Sequence, residues 1–460
     1  MLFIIERLEV RSLLSAAFDL IGVTALRNDP TLSNIDGRGV SVAVIDTGLD
    51  TTHPLIAPNY ITGEDITTGG STPTVVDPHG THVAGIIGSL PDPSRNYDGG
   101  VAPHVGIIAL NVFTKGSDGT LGATNQNIEK ALQWVIDHHS KYNIVAVNMS
   151  LGSGIFTSPD QVAGVAYQDE IQTLQNDGVT VVSAAGNSYG VVQDQNTGQE
   201  VSVEFPNSGA PGIISTLDVG AVWDTNEGGP FIWSNGSVDL TTAADRITSF
   251  SQRPPPAVGN GIFAPGAIIT STWPGNQLQQ EQGTSQATPM VSGAVALVQD
   301  AAETFGGRLL SPTEVRNVLQ STGNTIVDGD DEDDAVWIDS NNNGVVDNGE
   351  LTNLVNTGLS YLRLNVYKAV QAVRSMFTGG ASANPNDPNG TISGAVLGPT
   401  LSGATVSPIE GILGTDGSKA VGSKDIDMYQ FTVTSAGAVT ISLSSDTSKP
   451  KDFDSYLRLF

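Results

Sequence analysis

The chain has 460 residues, 53 of them glycine and none cysteine, and its 48 acidic against 20 basic residues give a formal net charge of -28. That balance repels phosphate backbones and anionic headgroups, so nucleic acid is excluded as a natural partner, while cations, calcium above all, are favoured. The missing cysteines rule out disulfides, thiol nucleophiles and Cys-based zinc sites, and a charged fraction of only 15% over this length predicts two or three folded units.

Residues 1–19, within "MLFIIERLEVRSLLSAAFDL", read as a leader-like segment whose "LEVRSLLSA" resembles the start of exported planctomycete proteins, which implies a secreted or cell-surface protein. Glu6, Arg7, Glu9 and Arg11 break the apolar core that a standard signal peptide needs, and an amphipathic helix packed on the following domain is the competing reading. No run reaches the roughly 18 apolar residues of a membrane helix, so no membrane insertion is expected. Five short, almost continuously aliphatic runs follow: "GVSVAVID" (39–46), "VGIIALNVF" (105–113), "NIVAVNMSLG" (143–152), "GVTVVSAAGN" (178–187) and "GIISTLDVGAV" (212–222). Such runs suit parallel strands buried on both faces. Helical patterns lie between them: "ATNQNIEKALQWVIDHH", with Ile128, Leu132, Val135 and Ile136 on one face, and "PDQVAGVAYQDEIQTLQNDG", closed by Gly178. The alternation predicts an α/β fold with a parallel sheet covered by helices on both faces, and its sites lie beyond the carboxyl ends of the strands.

Those ends carry chemistry. One strand delivers Asp46, another the small segment 150–152, and a third Asn187, while "DPHGTHVAGIIGS" (77–89) opens a helix with His79. Ser285, in "GTSQATPMVSG", stands at the amino end of a further helix, where unpaired N–H groups and the positive dipole end favour a developing anion. Pro289 falls in that helix's first turns, where a missing N–H is expected to cost least. A serine hydroxyl needs a base, and the base needs a carboxylate to fix its tautomer, so His79 and Asp46 complete a nucleophilic set. Asn187 can donate its amide to an oxyanion. Singly, Ser285 reads as a helix cap and Asp46 as a turn former. His82 with His79 and Asp77 reads weakly as a metal site, because no glutamate completes an HExxH arrangement. His138 and His139 complement a helix C-terminus.

Together, "VAVIDTGLD", "HGTHVAG", "SAAGN" and "GTSQATPMVSG", in the order Asp, His, Ser, resemble the subtilisin-like serine proteases, or subtilases, over about residues 20–376. The resemblance implies a three-layer subtilisin-like fold and a serine endopeptidase with Asp46, His79 and Ser285 as triad and Asn187 as oxyanion amide. It implies substrate walls at Ser150, Leu151 and Gly152 on one side and Ala184, Ala185 and Gly186 on the other. Protein or peptide substrates would be accepted broadly, with apolar or aromatic preference, and the chain is expected to be a monomer. Leu55 in "HPLI" replaces an aspartate that binds calcium in the family, so that calcium site is expected to be missing. Fewer than fifty residues precede Asp46, too few for the family's maturation domain, so the expectation is either that the chain folds without one or that the natural sequence starts earlier. A catalytically silent display or binding protein is the alternative function.

The peptidase unit is expected to span 20–378 and to carry an insertion at 328–351. Its "DSNNNGVVDNGE" matches an EF-hand loop, with Asp339, Asn341, Asn343, Val345, Asp347 and Glu350 as calcium ligands and Gly344 at the turn. The neighbouring Asp330, Asp331, Glu332, Asp333 and Asp334 are expected to repel one another unless calcium orders them. Residues 379–392 have a linker's composition, and 393–460 resemble a bacterial pre-peptidase C-terminal β-sandwich. Phe460 falls inside an apparent strand, as in a fragment of a longer protein.

Overall fold

A computed structural model describes residues 15–152, 167–189, 216–254, 259–329 and 356–378, with shorter stretches within 192–201, 256, 334–354 and 396–433. The chain divides into two compact units, Met1–Thr378 and Gly379–Phe460. In the second, the described residues form short strands, among them Val396–Leu401 paired in parallel with Tyr429–Val433; most of the expected β-sandwich lies outside the described residues.

The first unit is built on a nine-stranded sheet. From one edge to the other run Asn324–Val327, Ser360–Arg363, Gly261–Pro265, Leu217–Val222, Thr180–Ala184, Ile144–Met149, Ser41–Asp46, Gly106–Asn111 and Tyr60–Asp65. Eight are parallel, and only Asn324–Val327 runs against its neighbour. All five aliphatic runs are central strands, side by side. Their continuous apolar character has a physical cause, since successive side chains point to opposite faces and both faces are covered. Val42 and Val44 enter one core with Val83, Met290 and Val370. Ala43 and Ile45 enter the other with Leu132, Val135 and Leu174.

Helices His79–Gly88, Thr284–Gly306 and Val366–Thr378 supply the first core, and Asn125–Tyr142 and Gln168–Asn176 the second. This is the three-layer α/β architecture. The helix Ser15–Ile21 buries Ala17, Phe18 and Ile21 in the first core, so a boundary after residue 19 cuts through packed structure; residues 1–14 lie outside the described ones.

A smaller antiparallel sheet orders Phe231–Ile232, Ser237–Asp239, Asp334–Trp337 and Leu351–Asn353. Its last two strands are the flanks of the insertion. Of the acidic run expected to repel, Asp334 is 4% exposed and paired with Arg253, which also binds Asp328 at 3.1 Å. Asp330 to Asp333 lie outside the described residues.

Candidate active site

Asp46 ends its strand at the carboxyl edge of the sheet and is 1% exposed. Its Oδ1 accepts the Thr47 N–H at 2.7 Å and meets His79 Nδ1 at 2.8 Å. A carboxylate only accepts, so Nδ1 carries the proton and Nε2 is left with its lone pair. Gly80 makes this approach available. A Cβ there would lie 2.3 Å from the Gly48 carbonyl oxygen and 3.2 Å from Asp46 Oδ1, so any larger residue would push the helix off the carboxylate. The His79 ring loses hydration, which opposes its charge, but the Asp46 carboxylate and then Asp77 and Glu281 outweigh that loss and raise its pKa. Glu281, half-buried on the strand Gln277–Glu281, is itself pushed up by burial, against the pull of His79.

Ser285 is the second residue of the helix Thr284–Gly306, so its N–H has no intrahelical acceptor. Its hydroxyl donates to the Ser150 carbonyl at 3.2 Å, and no bond to His79 is present; the side chain must rotate to reach the imidazole. Pro289 sits differently from the expectation. Position 289 is where an α-helix would supply the donor for the Ser285 carbonyl, so the proline removes a bond that the helix interior would use. The Ser150 hydroxyl replaces it, donating to the Ser285 carbonyl at 2.8 Å. Ser150 Oγ in turn accepts from Asn148 Nδ2 at 3.0 Å, and Asn148 Oδ1 accepts from Ser292 at 2.8 Å. Ser150 and Ser285 thus hold each other reciprocally.

Asn187 is exposed, with one end of its amide fixed. Its Oδ1 accepts the Thr284 N–H at 2.8 Å and the Thr284 hydroxyl at 2.9 Å, which leaves Nδ2 as the outward donor. Gly283 lets the amide lie close. At φ 144 it has a backbone that side chains rarely adopt, and a Cβ would approach Nδ2 to 3.1 Å.

The segments Ser150–Gly152 and Ala184–Gly186 leave adjacent strands in register, with Asn148 opposite Val182 and Met149 opposite Ser183. Ser150, Ala184 and Ala185 are buried, Leu151 and Gly186 half-buried and Gly152 exposed. His82 is a packed histidine: its Nε2 bonds the Ile269 and Gln279 carbonyls, and burial lowers its pKa to about 3. His138 and His139 bond the carbonyls of Trp134 and Ile136 within their helix.

Of the calcium-loop residues, Asp339, Asn341, Asn343 and Val345 lie outside the described residues, and among the described ones no cluster of three or more metal-type ligands occurs. Glu350 accepts from the Ser340 N–H at 3.0 Å, the Ser340 hydroxyl at 2.7 Å, the Asp347 N–H at 3.0 Å and Trp337 Nε1 at 3.3 Å. Four donors fill the acceptor directions of a carboxylate, so a cation held in bidentate fashion there has to displace some of them.

Sequence reasoning missed Thr284, Asn148, Ser292 and Glu281. Thr284 was findable, since a hydroxyl and N–H adjoining the nucleophile are placed to orient a neighbouring amide. Glu281 carried no signal, because a hairpin return brings it to His79.

A model of the subtilase family matches residues 37–353. Subtilisin DY of Bacillus licheniformis is 30% identical over 296 residues, 64% of this chain and 86% of that protein. Subtilisin E of Bacillus subtilis (strain 168) is 30% identical over 295 residues, and the match spans 61% of its length and 62% of this chain. Among solved structures, a cold adapted subtilisin-like serine proteinase is 28% identical with a TM-score of 0.44, covering 63% of this chain and 84% of that one.

Proposed function

From the premise that the chain belongs to the subtilase family and is a serine endopeptidase, we propose that Ser285 is its nucleophile, His79 its general base, Asp46 the orienting carboxylate and Asn187 the oxyanion donor. The Asp46–His79 pair at 2.8 Å carries this reading. As the Ser285 oxygen bonds to the scissile carbonyl carbon, its proton passes to His79 Nε2, and the imidazolium is stabilised by Asp46. The carbonyl oxygen, now negative, takes hydrogen bonds from Asn187 Nδ2 and the Ser285 N–H. Collapse breaks the C–N bond, His79 returns the proton to the amine, and water repeats the sequence on the acyl-enzyme. The extended substrate lies between Ser150–Gly152 and Ala184–Gly186 as an added strand, with apolar or aromatic residues favoured. The intact set of four groups favours catalysis over silent display, since binding alone has no need of a base aimed by a carboxylate. The test is labelling with a serine-directed phosphonate: label on the parent and none on Ser285→Ala is expected, and equal labelling of both refutes the assignment.

Export to the medium or cell surface, activity as a monomer, and a peptidase unit ending near Thr378 followed by a linker and a β domain complete the proposal. Among the described residues no helix is long and apolar enough to cross a membrane. The loop 339–350 is proposed to bind calcium through Asp339, Asn341, Asn343, the Val345 carbonyl, Asp347 and Glu350, supported by the spacing of its oxygens; the ion would order the insertion and takes no part in peptide hydrolysis.

A further inference from the structure

Two chains of contact begin in the insertion, one ending on the Asn187 carbonyl and the other on Tyr189, two residues further on. The first is polar. Trp337 closes the strand Asp334–Trp337, and its N–H donates to the Gly236 carbonyl at 2.8 Å. The preceding residue, Asn235, donates its side-chain amide to the backbone carbonyl of Asn187 at 2.6 Å, while its Oδ1 accepts the Ser237 N–H at 3.0 Å and the Ser237 hydroxyl at 2.7 Å. Ser237 in turn pairs with Val336 of the insertion. The second is ionic and aromatic. Asp328 and Asp334 hold the fully buried Arg253, whose guanidinium lies 3.7 Å from the centre of the Tyr189 ring. Tyr189 packs with Val336 of the insertion and with Leu354 just beyond it, and its N–H reaches the Phe250 carbonyl at 3.2 Å.

The segment Gly186–Tyr189 is therefore fixed from two directions. Thr284 and the Gln252 N–H hold its beginning beside the helix of Ser285. Asn235 and Tyr189 hold the rest against the insertion. An oxyanion donor acts by being aimed before charge develops, and displacement by a fraction of an ångström reduces its effect steeply.

We propose that the insertion is a positioning element for catalysis, setting the aim of the Asn187 amide through Asn235 and Tyr189. This rests on the reading of Asn187 as the oxyanion donor. Both residues act by holding Asn187, so the effect falls on kcat and not on KM.

Asn235→Asp tests it, since the new side chain keeps the acceptor for Ser237 and turns toward the Asn187 carbonyl an oxygen that repels it in place of the donor that held it. Tyr189→Leu tests the second contact, keeping aliphatic packing while removing the ring beneath Arg253. Each variant is assayed on a peptide substrate alone and combined with Asn187→Ala, with melting temperature as the control for folding. Each single variant is expected to lose about three- to tenfold in kcat at nearly constant KM, the size of coupling between groups in contact. In the Asn187→Ala background the loss should vanish, because no amide remains to be aimed. A loss that persists undiminished in that background, or an unchanged kcat in both single variants, overturns the proposal. Full activity in Asn187→Ala itself overturns instead the oxyanion assignment on which it stands. Should Tyr189→Leu fail to fold, Asn235→Asp decides alone.

Discussion

Replacing Ser150 by alanine should destabilise the protein in a way that a second substitution partly repairs. The Ser150 hydroxyl, on a residue 5% exposed, donates to the Ser285 carbonyl and accepts from Asn148 Nδ2. Its removal strands both groups. A buried polar group left unsatisfied costs about 1–3 kcal/mol, so Ser150→Ala should cost about 2–4 kcal/mol, the open cleft beside Ser285 relieving part of the sum. Pro289→Ala restores an N–H one helical turn beyond the Ser285 carbonyl. On its own it should cost about 0.4–1 kcal/mol through a freer unfolded chain. In the double variant the new N–H takes over the stranded carbonyl, so the pair should be more stable than the sum of the single effects by about 1–2 kcal/mol, while the Asn148 Nδ2 donor stays without its acceptor. Urea unfolding followed by tryptophan fluorescence, with Ser285→Ala present throughout to prevent self-digestion, measures all four corners of the cycle. Additivity within about 0.5 kcal/mol would show that the Ser150 hydroxyl does not stand in for the missing helical donor.

Glu281→Gln removes a negative charge that favours the His79 imidazolium, so the pKa governing the acid limb of kcat/KM should fall and activity should persist to lower pH; an unmoved or raised limb refutes the electrostatic contact. Arg253→Ala leaves buried carboxylates without their cation and should cost about 3–5 kcal/mol at neutral pH. Burial and the Asp239 charge already raise the pKa of Asp334 well above the ordinary range against the pull of Arg253. The stability that its protonation supplies is present at low pH and lost as pH rises, so the gap between variant and parent should narrow on acidification; a widening gap contradicts it. Chelation should lower the melting temperature and speed self-digestion, and Asp339→Ala with Glu350→Gln should abolish that dependence. A double variant with the parent's calcium response places the ion elsewhere.

The centre of the sheet was legible because strands covered on both faces have no polar alternation to confuse with a helix, as Val42 to Ile45 illustrate. The edge strand Tyr60–Asp65 was not, since "YITGED" is mostly polar and only Gly63 and Asp65 are buried. Asp46, His79 and Asn187 were legible from their places at strand and helix ends. The partner of Asp334 was not, because charge counted along the chain does not reveal a cation 81 residues away; Arg253 meets it only after folding. Asn235 left no mark for a similar reason. Its work is done by one hydrogen bond to a backbone carbonyl, which no side-chain pattern records.

The strand order has a kinetic consequence. Ser41–Asp46 is the earliest strand among the described residues, yet it is enclosed by Gly106–Asn111 and Ile144–Met149, and the helix of Ser285 packs across the sheet from residue 284 onward. Contacts of such long sequence separation pay loop-closure entropy before they return stabilisation, so the sheet belongs to the slow-folding class. The groups at 46, 79, 187 and 285 come together only once nearly the whole unit has docked. An emerging or half-folded chain therefore holds carboxylate, imidazole and hydroxyl without their alignment, and cleavage competence should appear as the last observable of refolding, after secondary structure and core fluorescence have reached their native values.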